Sequence, residues 1–487
     1  MKKNSKLTKL CALLSVLAIG ATTGCSMLEG FLGGSSVQEN SEVSENSEVT
    51  STPDISEMPE TSETPETSEE PETSETPETS EDPETSEDPE TSETPETSED
   101  PEEPEIAVTL NLPTEDVVPY ASTIYDYLTA GAGAAVRNYY QKMDTQATPV
   151  SISWSFSAKG ARKFLVEYAT KADYSDAIAV ETTASKRSIE VYNLYCGTTY
   201  YVRVTALGKN DVKVYNTAEG TFKTTDVGPR FMMVDGVCNV RDLGGYTTNN
   251  GKELAQGIAY RGGHLKMAGG YTNEVTEEGL AYMSEVMGIK SEIDFRTPRE
   301  AGFEGGSFIP GASLTYVTIN SYAPTFDYDD EYNAFFSMLA DESNYPVYIH
   351  CTGGADRTGS AIYLLHTMLG VSEEECLQGY ELTSFSTYGL RDTQYAGAEY
   401  KGYWDNFMAK LNTYAGNTKQ EKVETWMKTV VGISQAQIDK IKAIFYGEVE
   451  IEQSFIPETP VSRMAKKSVN EQYADMVAAW AVQKKEN

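Results

Sequence analysis

Prolines recur at residues 59, 65, 71, 77, 83, 89, 95 and 101, and from Pro59 to Asp100 the chain repeats Pro-Glu-Thr-Ser-Glu plus one residue. Hexapeptide units stack into a β-helix only when each carries an apolar face. These carry none. Pro, Glu, Ser and Thr cannot bury enough surface to offset chain entropy, so residues 26–105 are expected to be a disordered stalk. Like charge and proline stiffness extend it. Roughly 80 residues at about 3.1 Å each would reach on the order of 250 Å in full polyproline II form. Any fold must come from residues 106–487.

The acidity of the chain belongs mostly to that stalk. The net charge is −37, from 38 basic and 75 acidic side chains, and residues 36–105 hold 27 of the acids with no Lys or Arg. Setting aside that segment, the four N-terminal lysines and Glu29 leaves −13 for residues 106–487. No basic cluster is present to hold a phosphate backbone, which argues against a nucleic-acid partner. The three histidines, His264, His350 and His366, lack the spacing of a catalytic metal centre, so neither metal nor cofactor is expected.

Residues 1–25 read as an export signal. Lys2, Lys3, Lys6 and Lys9 precede a short apolar run, Leu10 to Ala21, too short to span a membrane. Thr22-Thr23-Gly24-Cys25-Ser26 comes next. It resembles a bacterial lipobox, which implies lipidation at Cys25 and anchoring outside the cytoplasmic membrane. A plain secretory cleavage is the alternative.

Residues 106–227 predict a helical lead-in and a small all-β sandwich. Ile124, Tyr127 and Leu128 suggest a helix within 122–143. Ile152-Ser153-Trp154-Ser155-Phe156 alternates apolar and polar, as do runs at Phe164–Tyr168 and Tyr200–Val204. Ser188 to Leu207 resembles the fibronectin type III pattern, with Leu194, Gly197 and Tyr200 at its leucine, turn glycine and tyrosine corner. Trp154 matches its core tryptophan. The resemblance covers about 146–226 and implies a spacer or a ligand binder.

The chemistry lies at His350-Cys351-Thr352-Gly353-Gly354-Ala355-Asp356-Arg357-Thr358-Gly359. Pro346 to Ile349 reads as a buried strand and Ser360 to Leu369 as an apolar helix. A glycine-rich loop between strand and helix points N–H groups at an anion. Across five intervening residues, Cys351 and Arg357 can face one phosphate, and Arg357 offers a planar fork for two oxygens. The loop amides of Thr352, Gly353, Gly354 and Ala355 would bind the rest. The same groups should lower the Cys351 pKa and create a nucleophilic thiolate. Thr358 is placed to donate to the sulfur as it leaves. His350 is expected to order the loop.

This run resembles the Cys-x5-Arg signature of protein tyrosine phosphatases. Asn239-Val240-Arg241-Asp242-Leu243-Gly244-Gly245 resembles the NFRDLGG motif of the atypical bacterial tyrosine and lipid phosphatases, tyrosine phosphatase family 3. Tyr260 to Leu265 is similar to its YRSG-x-L segment, Ile293 to Glu300 to its DLR-x-x-x-E segment, and Tyr380 to Ser384 to the segment after the active-site helix. The resemblance spans about 231–447 within a domain placed at 230–450. It implies an α/β sheet flanked by helices, and a cysteinyl-phosphate mechanism. Arg241, Asp242 and Arg296 would support the site. Arg241, Arg261 or Arg296 could instead pair with Asp242 or Glu300. Where the family often has G-K-D-R-T-G, Ala355 replaces the lysine, which favours phosphotyrosine-type monoesters over phosphoinositides.

A carboxylic acid must protonate the leaving oxygen and then activate water. Asp356 is the first choice, as the resemblance implies, and Asp294 the second. The expected substrate is a phosphorylated protein or a small phosphomonoester. The rival readings are an idle surface-binding protein and a sulfur-transfer enzyme. Cys238 reads as a packed thiol, with a protective disulfide to Cys351 as the alternative. Residues 451–487 form a tail with helical potential from Met464 to Ala481. Oligomeric state is left open.

Overall fold

The computed structural model describes residues 107–451, apart from 132, 268–273, 303–304 and 322. The signal segment with Cys25, the stalk and the tail beyond 451 lie outside the described residues. Those described belong to one compact unit, residues 96–487. Among them no helix is long and apolar enough to cross a membrane.

Seven strands build the first layer pair. They are Val108–Asn111 (β1), Val150–Phe156 (β2), Lys163–Ala169 (β3), Ile178–Thr183 (β4), Ser188–Val191 (β5), Thr199–Leu207 (β6) and Ala218–Lys223 (β7). Two antiparallel sheets result, ordered β1-β2-β5 and β4-β3-β6-β7. Alternation decides the faces: Val150, Ile152 and Trp154 point inward while Ser151 and Ser155 are exposed. Trp154 packs on Phe164 at 5.4 Å between ring centroids. The Tyr200 hydroxyl accepts a bond from the Tyr195 amide at 2.8 Å, pinning the turn before β6.

The stretch between β1 and β2 departs from its sequence pattern. Its helix spans only Ser122–Thr129 (α1). Gly131 and Gly133 adopt φ of 84° and 81°, a region that interrupts a right-handed helix. Beyond them the chain makes a single 3-10 turn at Val136–Asn138. The apolar face of α1 does not join the sandwich core. Ile124 and Tyr127 pack with Phe231, Met233, Leu382 and Phe385, all from the second half of the chain.

That second half forms a five-stranded sheet from Arg241–Asp242 (β8), Ala259–Gly262 (β9), Ser291–Asp294 (β10), Ser313–Tyr316 (β11) and Val347–His350 (β12). The order is β11-β10-β12-β9-β8, parallel except for β8. Strand β12 is central and wholly buried, as parallel strands between helical layers must be. Short helices Glu277–Ala281 (α2) and Pro298–Ala301 (α3) precede it, with Asp329–Leu339 (α4). Among the described residues five helices come after it: Arg357–Leu369 (α5), Glu373–Glu381 (α6), Glu399–Leu411 (α7), Lys419–Trp426 (α8) and Gln435–Phe445 (α9). One core joins the sheet to α4–α9, and a second covers its other face with α2 and Met232–Val240. Asp294, His350 and Gly262 lie side by side at the carboxyl ends of β10, β12 and β9. Ligands of open parallel sheets bind outside those ends.

A buried polar contact ties α1 to the second half. The Tyr127 hydroxyl donates to Glu381 Oε2 at 2.5 Å, and Oε1 accepts from the Thr393 amide and hydroxyl. Burial raises the Glu381 pKa, so the carboxyl depends on these donors. Tyr127→Phe should therefore lower unfolding stability by about 1–3 kcal/mol, the cost of an orphaned buried acceptor. Urea denaturation measures it; an unchanged midpoint would mean that Glu381 finds another donor.

Candidate active site

The loop after β12 is shaped by two close approaches. Gly354 has φ of 61°, and a Cβ there would stand 2.0 Å from the Gly262 carbonyl. A Cβ on Gly353 would meet the Tyr388 ring at 2.9 Å. Only glycine fits at Gly354, which is backed by main chain. The chain then enters α5 at Arg357, so the helix N-terminus faces the loop. Cys351 is 3% exposed and Arg357 4%.

Burial alone would raise the Cys351 pKa. The Arg357 charge and the hydroxyl and amide of Thr358 outweigh it, and the thiol lies below its ordinary range. Among the described residues the buried Thr358 hydroxyl has no other partner. Arg357 is itself held by Glu300, with Nη1 and Nη2 at 2.8 and 2.7 Å from its two carboxylate oxygens. Thr352 closes the triangle, donating to Glu300 at 2.6 Å and accepting from Arg357 at 3.1 Å. Burial would raise Glu300, yet Arg357 and Thr352 hold it low. Glu300 stands on α3, whose N-cap Thr297 accepts from its amide.

The two carboxylates expected as acids lie in different surroundings. Asp294 is 1% exposed. Both its oxygens lie on Arg296, at 2.7 to 3.0 Å. Burial opposes its ionisation, but the charges of His350 and Arg296 keep it low. Asp356 occupies the N-cap position of α5, at the lip of the loop, but its side chain makes no capping bond to the helix. Arg391 Nε and Nη2 donate to its two oxygens at 3.1 and 3.0 Å, and Tyr380 adds a bond at 2.9 Å.

His350 sits beneath the loop. Its Nε2 is 2.8 Å from Glu292 and 3.8 Å from Asp294, and its Nδ1 lies 3.2 Å from the Cys351 carbonyl. Burial would lower its pKa, but the two carboxylates raise it. Glu292, Asp294 and His350 lie close enough together for a metal ion. Arg296 already grips both oxygens of Asp294, and Glu292 and Asp294 favour the charged form of His350, which ties the trio into an ion-pair network.

Arg241, Arg261 and Arg296, the motif arginines open to ion pairing, divide. Arg296 pairs with Asp294 rather than Glu300. Asp242 pairs with Arg230 and accepts from the Gly244 and Gly257 amides, which fixes the turn after β8. Arg241 and Arg261 make no ion pair among the described residues. Arg241 bonds to Asn239 and the Gly379 carbonyl, and Arg261 to the Gly354 carbonyl at 2.5 Å. Burial pushes Arg261 down to about 10, so it stays charged under the loop at neutral pH. Cys196, Cys238, Cys351 and Cys376 are all thiols. Cys238 accepts from Thr387 and is raised by burial, the packed alternative.

Three contributors escape a sequence reading. Arg391 carries no motif. Tyr388 packs on Gly353 with its hydroxyl 3.1 Å from His264 Nδ1, which lies 2.7 Å from the Thr352 carbonyl. Glu300 is visible only as the last residue of its segment, not as the partner of Arg357.

Comparison with known proteins agrees with this geometry. Residues 232–447 match the sequence profile described as the Tyrosine phosphatase family. A Cupriavidus necator protein provisionally named a tyrosine-protein phosphatase is 26% identical over 179 residues, 31% of this chain and 63% of that protein. The chain thus spans less than two thirds of that relative. Among solved structures, the core catalytic domain of the PP-IP phosphatase Siw14 from S. cerevisiae aligns at 13% identity and a TM-score of 0.22. It covers 35% of this chain and 91% of that one. A redesigned β-sandwich protein aligns at 24% identity and a TM-score of 0.14, over 18% of this chain and 86% of that one.

The electrostatics lead to two expected outcomes. Alkylation of Cys351 by iodoacetamide should reach half its maximal rate below pH 8.5, the ordinary thiol value. Arg357→Ala should move that midpoint upward; a midpoint at or above 8.5 in the unaltered protein contradicts the assigned thiolate. His350 has a folded pKa above its unfolded value near 6.5. Its stabilisation is complete below that pH and is lost as pH rises through the folded pKa. His350→Gln should flatten that decline in denaturation curves recorded from pH 6 to 9.

Proposed function

We propose that the chain is an exported, lipid-anchored phosphatase that hydrolyses phosphomonoesters through a cysteinyl-phosphate. One observation carries the reading: a thiol below its ordinary pKa faces Arg357 in a glycine loop at a helix N-terminus. The Cys351 thiolate attacks phosphorus in line, forming the S–P bond as the P–O bond to the leaving group breaks. Arg357 and the loop amides from Thr352 to Ala355 take the charge on the equatorial oxygens. Asp356 gives its proton to the leaving oxygen. In the second step Asp356 takes a proton from water, the water oxygen bonds to phosphorus, and Cys351 leaves as thiolate beside the Thr358 hydroxyl.

Asp356 is preferred to Asp294 because its side chain keeps 14% exposure at the lip, against 2%. Phosphotyrosine-type esters are preferred to phosphoinositides. Ala355, at the lysine position of the lipid phosphatases, is 2% exposed and offers no charge to a polyanionic ring. The sandwich is read as fibronectin III-like, supported by its strand order and by the Tyr200–Tyr195 bond. Export and lipidation at Cys25 rest on the N-terminal sequence.

The full chain should release phosphate from p-nitrophenyl phosphate with EDTA present, and Cys351→Ser should fall to background. Asp356→Asn should lower kcat by about 10²–10⁴ on a phosphotyrosine peptide. The loss should be smaller on p-nitrophenyl phosphate, whose leaving group needs less protonation. No turnover in the reduced protein between pH 5 and 8 would favour the idle binding protein.

A further inference from the structure

The stretch from Ser386 to Ala398, between the turn after α6 and the start of α7, has no helix or extended strand of its own. It nonetheless carries Arg391, which grips both oxygens of Asp356, and Tyr388, which covers Gly353. Such a strap takes its shape from side-chain contacts. Within its own domain, the Arg391 amide bonds to the Ser384 hydroxyl, and its Nη1 bonds to the Tyr388 and Gly389 carbonyls.

Thr393 bonds twice to Glu381, Tyr388 reaches His264, and the Arg391 guanidinium lies 4.3 Å from the Tyr400 ring centre. A second set of contacts comes from the segment inserted between β1 and β2. The base of that segment is stapled to the sandwich, with the Val117 amide on the Lys223 carbonyl and the Thr225 amide on the Val117 carbonyl. Its far end lies along the strap. The Met143 amide bonds to the Phe385 carbonyl at 3.0 Å, and Gln394 Nε2 to the Ala134 carbonyl at 2.9 Å. Arg137 Nε pairs with Asp392, whose side chain is 1% exposed, and its guanidinium lies 3.6 Å from the Tyr395 ring centre. Asp392 also accepts from the Gln394 and Tyr395 amides, and these bonds with Arg137 outweigh burial to keep it ionised. Asp392 is the neighbour of Arg391 in the chain.

We propose that Arg137, on the sandwich side of the chain, is a positioning residue for Asp356, acting through Asp392 and Arg391. The sandwich module then contributes to turnover as well as to placement. Proton transfer is sensitive to such placement: a shift of about 1 Å from a remote change can cost on the order of 10²-fold. The inference rests on the phosphatase reading above and deepens it.

The test uses the full chain and a phosphotyrosine peptide. Arg137→Met should lower kcat about tenfold with KM within about twofold, and Arg137→Lys should recover most of the loss. The rate of Cys351 alkylation should not change, since the loop and Arg357 are untouched. In an Asp356→Asn background Arg137→Met should cost nothing further, because residues acting through one group are not additive. The proposal is overturned if Arg137→Met leaves kcat unchanged, or if it costs the same in both backgrounds. Should Arg137→Met fail to fold, Asp392→Asn, which removes the charge that Arg137 pairs with, takes its place under the same criteria. An inactive wild-type chain would overturn the phosphatase reading itself. An active one insensitive to these changes would overturn only the role of Arg137.

Discussion

A sulfur that must be an anion yet is almost wholly removed from water needs positive charge and aimed N–H groups that outweigh its lost hydration. Much of the second half of the chain is arranged around that requirement at Cys351. Central β12 delivers the cysteine to the sheet's carboxyl edge, and α5 begins six residues later with Arg357 and Thr358 in its first turn. The close approach of Gly354 to the Gly262 carbonyl lets the intervening chain curl tightly. Glu300 could seem to work against the thiolate, since it neutralises Arg357. Its two bonds instead fix the plane of the guanidinium beside the loop.

The buried arginines show how charge is apportioned. Arg230 and Arg296 are each matched by an aspartate and contribute little net potential. Arg241 and Arg261 have carbonyl partners instead, and burial, with the charge of Arg261 adding to it, lowers Arg241. Two unmatched cations under an anion-binding loop are costly in a core. They are tolerable where an anion is the intended occupant, and Arg261 feels the Cys351 charge directly.

How much of this was legible depended on how local the chemistry is. Cys351, Thr358 and Arg357 lie within eight consecutive residues, and the flanking apolar runs declare strand and helix. The alternation at Ile152–Phe156 declared a sandwich face for the same reason. Glu300 and Arg391 reach the site from 57 residues before Arg357 and 35 after Asp356, distances that no spacing rule encodes. Asp294 reads in the sequence as the second candidate acid, but not as the partner of Arg296. The backbone turn that brings Arg296 onto it, two residues on, is visible only in three dimensions. The 122–143 pattern announced an apolar helix face but not its partner, because Tyr127 meets Glu381 across 254 residues.

That long-range contact bears on what the sandwich is for. Domain pairs joined by small polar interfaces move independently, and motion is the default expectation unless the contact is large and apolar. Here Tyr120, Ile124, Tyr127 and Val136 share one core with Phe231, Met233, Leu382 and Phe385. Asn193 crosses to the Met233 backbone and the Tyr282 hydroxyl, and Gln256 crosses to Cys196. A module meant only to hold an enzyme at a distance would gain nothing from burying aromatics and a carboxyl against it. These contacts fit rigidity as the contribution of the sandwich, passed to the strap that holds Asp356 through Arg137 and Asp392.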